Sequence, residues 1–384
     1  MLEGTPGAVA SFLLTLAAHR LLEPIAWRFR LLDRPGGRKD HAATTPVTGG
    51  IAMLAGVLVV GTLMHESIGP GWRGFASASM LLVVVGFADD RYDLPWHVRL
   101  LAQATAALIM IFFGGLYVDQ LGPLFGSDTV FLGGLAVPFT VIGIVGIVNA
   151  VNMIDGADGV AGMLVLSTLV MFEAAATYVA DPVLAGRIMI LIGAVSAFLS
   201  CNLRFPWRGR ARAFMGNAGS GFLGLVVAWI AIRLTEHTAH PVAPVLMPWL
   251  VAIPLMDCLV LMLHRVRSRR SPFAADHGHI HHLMLEAGIG PTGIAIVLAL
   301  ASGTFGLAAG LAMLAHVPHA TMLVAFVLLC AAWYWLTARR ARAVRFFRDM
   351  RGMVPFGRGM RAGESRAASE AAPLADGAGS VNVR

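Results

Sequence analysis

Apolar runs of about 18–25 residues recur along this 384-residue chain, each long enough to cross the ~30 Å hydrocarbon core of a bilayer. About eleven are present, near 6–27, 47–65, 72–88, 98–118, 131–150, 159–179, 184–203, 216–234, 244–263, 291–314 and 318–338. No water reaches a backbone N–H or C=O inside hydrocarbon. A spanning segment must therefore satisfy its own backbone groups, which it does as a helix. The pattern predicts an all-α integral membrane protein, a bundle of about 11 transmembrane helices. Only 13% of the residues are charged, about half the fraction usual in soluble domains. The 43 glycines fall within many of the runs, where small residues let neighbouring helices approach closely. One polytopic domain is expected over residues 1–345. Residues 346–384 make an arginine-rich tail whose Gly, Ala and Ser content predicts disorder.

The basic residues orient the bundle. Arg28, Arg30, Arg34, Arg38 and Lys39 follow the first run, and Arg204, Arg208, Arg210 and Arg212 the seventh. Arg265, Arg267, Arg269 and Arg270 follow the ninth, and Arg339, Arg340, Arg342, Arg345 and Arg348 the last. The alternate loops, 65–71, 119–130 and 316–319, nearly lack such residues. The positive-inside rule then places the N-terminus in the periplasm and the C-terminus in the cytoplasm, as an odd number of spans requires. The first run has no basic start and no small-residue cleavage site, so it is expected to be retained rather than removed as a signal peptide. The net charge of +7 reads as topology determinants and contacts to anionic membrane lipid, with no nucleic-acid partner. Cys201, Cys258 and Cys330 lie within apolar runs, an odd set that makes neither a disulfide framework nor a metal motif.

The polar clusters share the face that holds the arginines. Asp89 and Asp90 close the third run, where adjacent carboxylates are costly unless solvated, paired or bound to a cation. Asn149, Asn152, Asp155 and Asp158 follow one another at intervals of three, which on a continuous helix makes one polar stripe. The alternative is a turn with helix-capping aspartates, which explains one Asp better than it explains four residues. Gly156 and Gly159 leave room for a close approach of backbone or ligand. His279, His281 and His282 fall in the loop between the ninth and tenth runs. Imidazoles so crowded can donate to phosphate or bind metal. Zinc prefers wider spacing and no Cys partner is present, and burial is not expected for so polar a string. Carboxylates and cations on one face suit Mg²⁺-assisted phosphoryl transfer. Arg265, at the end of the ninth run, reads equally as a phosphate clamp or as a topology arginine. Lys39 and His41 stand in the first cytoplasmic loop, where they either meet a lipid phosphate or simply mark topology.

Seven strings stand in fixed order: RKDH (38–41), PVTGG (46–50), FADDRYD (87–93), NAVNMIDGADGV (149–160), FMGNAGS (214–220), IPLMD (253–257) and DHGHIHHL (276–283). Together they resemble the polyprenyl-phosphate N-acetylhexosamine-1-phosphate transferases over roughly residues 10–345. Within that family the chain is most similar to the type that uses UDP-GlcNAc and undecaprenyl phosphate. The HIHH string separates that type from relatives that transfer phospho-MurNAc-pentapeptide. The resemblance implies transfer of GlcNAc-1-phosphate to undecaprenyl phosphate with release of UMP. It also implies Mg²⁺ as cofactor, with Mn²⁺ as a substitute, and a site on the cytoplasmic face of the bacterial inner membrane. The product would enter O-antigen or a related cell-surface glycan.

By the same resemblance, Asp89, Asp90, Asp155 and Asp158 are catalytic. Asn152, Arg265, His279, His281, His282, Lys39 and His41 bind substrate, and Asp90 and position 217 bind the metal. The family motif has Asp where this chain has Asn217, which keeps a carbonyl oxygen but loses the negative charge that hard cations favour. Weakened Mg²⁺ binding and low turnover are therefore expected. Two rival readings are the same chemistry on another UDP-N-acetylhexosamine, and a membrane transporter. Against the transporter, no internal repeat is visible and the polar clusters sit at one face rather than at the midplane. The lipid-facing surface leaves room for a homodimer.

Overall fold

The computed structural model describes residues 4–33, 44–64, 69–124, 126, 128–236, 242–271 and 278–352. Lys39, His41 and the tail beyond residue 352 lie outside the described residues. Fourteen α-helices follow one another: α1 (Thr5–Phe29), α2 (Gly49–Leu63), α3 (Pro70–Tyr92), α4 (Trp96–Leu108), α5 (Ala136–Ile154), α6 (Val160–Tyr178), α7 (Pro182–Asn202), α8 (Gly216–Thr235), α9 (Met247–Leu250), α10 (Ala252–Arg267), α11 (Ile280–Glu286), α12 (Pro291–Leu314), α13 (His319–Thr337) and α14 (Arg340–Arg351). The sheet among the described residues is a short antiparallel pair, β1 (Leu32–Asp33) with β2 (Thr45–Pro46).

Among the described residues, nine helices are long and apolar enough to cross a membrane, and ten if the bent pair α9–α10 counts as one span. The chain is a multi-pass membrane protein, but two of the eleven expected runs are not simple spans. The run near 47–65 forms α2, whose 15 residues reach about 22 Å, short of the ~30 Å core. It packs against α1, α7 and α8. The run near 244–263 breaks into α9 and α10, bent by 85°. Pro254 accounts for the break, because it has no N–H for the carbonyl of residue 250 and its ring clashes with that carbonyl. The Leu250 carbonyl instead accepts from the Thr168 hydroxyl at 2.9 Å, so the backbone group stays satisfied inside the bundle.

α8 forms the centre, buried over nearly its whole length, with α3 and α5 flanking it. Phe75 stacks on Trp229 with ring centroids 4.5 Å apart, and Phe222 packs on the other side. Gly86 lets α3 and α8 touch: a Cβ there would lie 2.5 Å from the Ala218 backbone, so any larger residue forces the helices apart. α13 is the opposite case, exposing Val324, Val327, Leu328 and Trp335 as a lipid-facing surface suits.

Chain direction gathers the polar strings at one end. Val47, just before α2, bridges to Phe214 before α8. Gly159 before α6 meets Asn202 at the end of α7, and Thr292 at the start of α12 meets Arg204. α14 packs at this end against α11 and α13. It runs across the boundary expected at 345/346, so helical structure continues to Arg351.

Candidate active site

The last turn of α3 points two carboxylates in different directions. Asp90 Oδ1 accepts from the Asn217 N–H at 2.9 Å, and Oδ2 from the Ala218 N–H at 3.4 Å. The first amides of a helix have no intrahelical acceptor and its dipole favours an anion there, so Asp90 sits where α8 wants one. Gly216 makes this approach possible. Its φ is +67°, and a Cβ would overlap both the Asp90 carboxylate and Val47. The PVTGG and FMGNAGS strings are stitched together beside it, Phe214 N–H donating to the Pro46 carbonyl at 2.9 Å and Gly49 N–H to the Phe214 carbonyl at 3.0 Å. Asp89 is buried and faces α4 instead. Its Oδ1 accepts from the Leu94 N–H at 2.8 Å and its Oδ2 from Arg99 Nη1 at 3.3 Å.

Across the cleft, Asn152 on α5 donates through Nδ2 to Asn217 Oδ1 at 2.9 Å and to Ser220 Oγ at 2.7 Å. The polar stripe expected to continue through Asp155 and Asp158 does not. α5 ends at Ile154, Asp155 is its C-cap with ψ 51°, and the chain turns through to Gly159, where φ is +81°. The turn reading prevails, yet neither aspartate merely caps a helix. Asp158 Oδ2 pairs with Arg204 Nε at 2.6 Å. Asp155 is pushed up to about 7, first by burial and then by the charges of Asp90 and Asp158. A carboxylate held that high among other carboxylates is one that a nearby cation would return to its ionised form.

The histidine string departs from expectation twice. His279 is the N-cap of α11, and His281 and His282 lie in its first turn, so the string is helical rather than a loop. His279 is 7% exposed and His281 is 1% exposed, so it is also buried. Asp257, on α10 and itself buried, makes this tolerable. Its Oδ2 accepts from His279 Nδ1–H at 2.8 Å and its Oδ1 from the Ile280 N–H at 3.0 Å. The carboxylate fixes Nδ1 as the protonated nitrogen and turns Nε2 away from itself. Gly156 abuts the His281 ring so closely that a side chain there would overlap it, which joins the 155–159 turn to α11.

A cavity of about 260 Å³ opens between α3, α4, α5, α8 and α10. Asp89, Asn152, Asn217, Arg265 and His279 line it, together with an apolar wall of Leu82, Val85, Leu100, Val148 and Met153. Asp90, Asp155, Asp158, His281 and His282 are not among its lining residues. Sequence reasoning left out Asp257, Arg99 and Gln103. Asp257 carried a signal, an acid inside an apolar run. Arg99 and Gln103 carried none. Each acquires its place through one contact, Arg99 with Asp89 and Gln103 as acceptor from Asn149 Nδ2 at 2.6 Å.

The donors near α8 are carboxylate and amide oxygens from Asp90, Asp155 and Asn217, a set that suits Mg²⁺ rather than zinc. No group of three His, Cys, Asp or Glu able to hold a metal is found among the described residues.

The apolar helices make a multi-pass membrane protein with a polar cavity at one end of the bundle. The family model for glycosyl transferase family 4 matches residues 72–235. The chain is 32% identical over 352 residues to the undecaprenyl-phosphate alpha-N-acetylglucosaminyl 1-phosphate transferase of Escherichia coli (strain K12), covering 91% of this chain and 95% of the relative. It is 34% identical over 345 residues to the protein of that name from Pasteurella multocida (strain Pm70), covering 89% and 96%. This chain belongs to the polyprenyl-phosphate N-acetylhexosamine-1-phosphate transferase family. Its activity class is sugar-phosphate transfer.

Proposed function

We propose that this protein transfers GlcNAc-1-phosphate from UDP-GlcNAc to undecaprenyl phosphate, giving undecaprenyl-pyrophosphoryl-GlcNAc and UMP. The two-sided cavity carries the reading, since an apolar wall between membrane helices meets Arg99, Arg265 and His279. A polyprenyl chain suits the wall and phosphates suit the cations. The names of the relatives support both substrates. A lipid phosphate oxygen attacks the sugar-linked phosphorus, the bond from that phosphorus to the bridging oxygen breaks, and UMP leaves. The monoester has a second pKa of about 6, so it arrives largely ionised and needs no strong base. Arg99, aimed by Asp89, positions the lipid phosphate, while Arg265 and His279 hold the donor diphosphate. Positioning and electrostatics dominate such transfers. Asp90, Asp155 and the Asn217 carbonyl would hold Mg²⁺ or Mn²⁺, which supplies charge neutralisation to the diphosphate.

The arginine clusters at the site end favour the cytoplasmic face of the bacterial inner membrane, and a product that feeds O-antigen or a related glycan. The test is purified protein with labelled UDP-GlcNAc, undecaprenyl phosphate and Mg²⁺. Equal amounts of UMP and labelled lipid are expected. Product from a different UDP-N-acetylhexosamine alone would move the donor assignment, and none from any donor would end the reading. UMP release without lipid would instead indicate a two-step route through an aspartyl phosphate.

Proton and cation should compete at Asp155. Burial and the charges of Asp90 and Asp158 push its carboxyl up to about 7, and a hard cation binds the ionised form. At limiting Mg²⁺, activity should rise through about pH 7, and saturating Mg²⁺ should move that rise to lower pH. A midpoint indifferent to Mg²⁺ removes Asp155 from the cation site.

A further inference from the structure

The end of the bundle opposite the cavity holds a second charged cluster. α3 and α7 begin there and α8 ends there. Arg187, in the second turn of α7, is only 8% exposed. Among the described residues its guanidinium makes no hydrogen bond or ion pair, and its Nε is buried without an acceptor. It lies over the Trp72 ring, with Cζ 5.1 Å from the centroid, and its charged neighbours are Arg233 and Asp181. Arg233, in the last turn of α8, brings a second positive charge and another buried Nε without an acceptor. The Asp181 carboxylate is already shared, Oδ1 accepting from the Leu184 N–H at 2.9 Å while Oδ2 lies 3.5 Å from Arg233 Nη2. The Trp229 indole, packed against Trp72, also buries its N–H without an acceptor.

Among the described residues two guanidiniums therefore face one carboxylate, an excess of about one positive charge. In each guanidinium the Nε–H is buried without an acceptor, which is unfavourable, whereas the Nη groups are not buried in this way. The positive dipole ends of α3 and α7 meet the negative end of α8 there, so the helix dipoles partly offset one another. Desolvation alone would favour an apolar residue at 187, so the retained arginine calls for an anion that completes it. The Arg233 side chain is 34% exposed, so the cluster is reachable from outside.

We infer that Arg187 and Arg233 form a binding site for a phosphate group at the membrane face opposite the catalytic cavity. The guanidinium fork matches two phosphate oxygens, and stacking on Trp72 fixes its plane. A phosphodiester with one negative charge balances the excess. It could come from an anionic lipid headgroup in the facing leaflet or from a free phosphate. The site is not part of the reaction centre, because Trp72 and Asp90 are 18 residues apart on one helix, about 27 Å.

The test uses the full chain, purified in phosphate-free detergent, and follows thermal unfolding. The probes are phosphatidylglycerol, inorganic phosphate and diacylglycerol, which has no phosphate. Phosphatidylglycerol should raise Tm by several degrees and diacylglycerol should not, since a ligand that binds only the folded state stabilises it by mass action. Inorganic phosphate raising Tm equally would assign the site to a free anion; a shift with the lipid alone would assign it to a headgroup. Arg187→Met should remove most of the shift, and so should Arg233→Gln, which carries the comparison if the first variant does not fold. Arg265→Met, in the catalytic cavity, should retain it. No shift with either phosphate probe overturns the inference, as does a shift that survives both variants or is lost only with Arg265→Met.

Discussion

Asn217→Asp should raise transfer activity at saturating Mg²⁺ by more than about tenfold, equivalent to about 1.4 kcal/mol of barrier. Asp and Asn are nearly the same size, and the Asn217 side-chain oxygen already accepts from Asn152 Nδ2, a bond an aspartate keeps. The electrostatics change. The neutral Asn217 amide favours the ionised Asp90 carboxylate beside it, whose oxygens already accept from the Asn217 and Ala218 N–H groups. The substitution removes that amide and places a second carboxylate beside Asp90 at the start of α8, where the helix dipole offsets part of the repulsion and Mg²⁺ offsets the rest. The Asn217→Asp protein should therefore be less stable than the parent in chelator and gain more in Tm on addition of Mg²⁺. Activity that rises less than tenfold, with equal Mg²⁺-dependent Tm shifts in both proteins, would show that position 217 does not weaken the cation site.

The spans were legible because membrane helices need only length and apolarity, and both are written in consecutive residues. The site was legible as a set of residues but not as a geometry. The spacing of Asn149, Asn152, Asp155 and Asp158 does not by itself decide whether they continue a helix. Gly156 and Gly159 do, the first by contact with His281 and the second by its left-handed backbone. Burial of His279 could not be read from its own string, because the residue that makes it affordable, Asp257, lies on another helix. The broken ninth run had its cause in plain view at Pro254, but uniform apolarity on either side concealed it. The second arginine cluster escaped for a related reason. Counting basic residues in loops orients a membrane protein, but Arg187 and Arg233 lie inside helices and so were not weighed.

Asp257 should prove to be a positioning residue whose loss is felt at His279. Asp257→Ala leaves a buried imidazole and the Ile280 N–H without their acceptor. Removing one partner of a buried pair costs about 3–5 kcal/mol, so this variant should lose much of its stability. Asp257→Asn is the sharper test. Its carbonyl oxygen can still accept from the Ile280 N–H, preserving the start of α11, but its amide then faces His279 Nδ1. That arrangement makes Nδ1 an acceptor and moves the neutral ring's proton to Nε2, the edge turned away from residue 257. Removing an outer partner that sets an imidazole's tautomer and orientation typically costs 10–100-fold in function at metal sites. A loss of about that size is expected here, with Tm nearly kept. If Asp257→Asn retains full activity while Asp257→Ala unfolds, Asp257 serves only to start the helix and His279 does not depend on it for orientation.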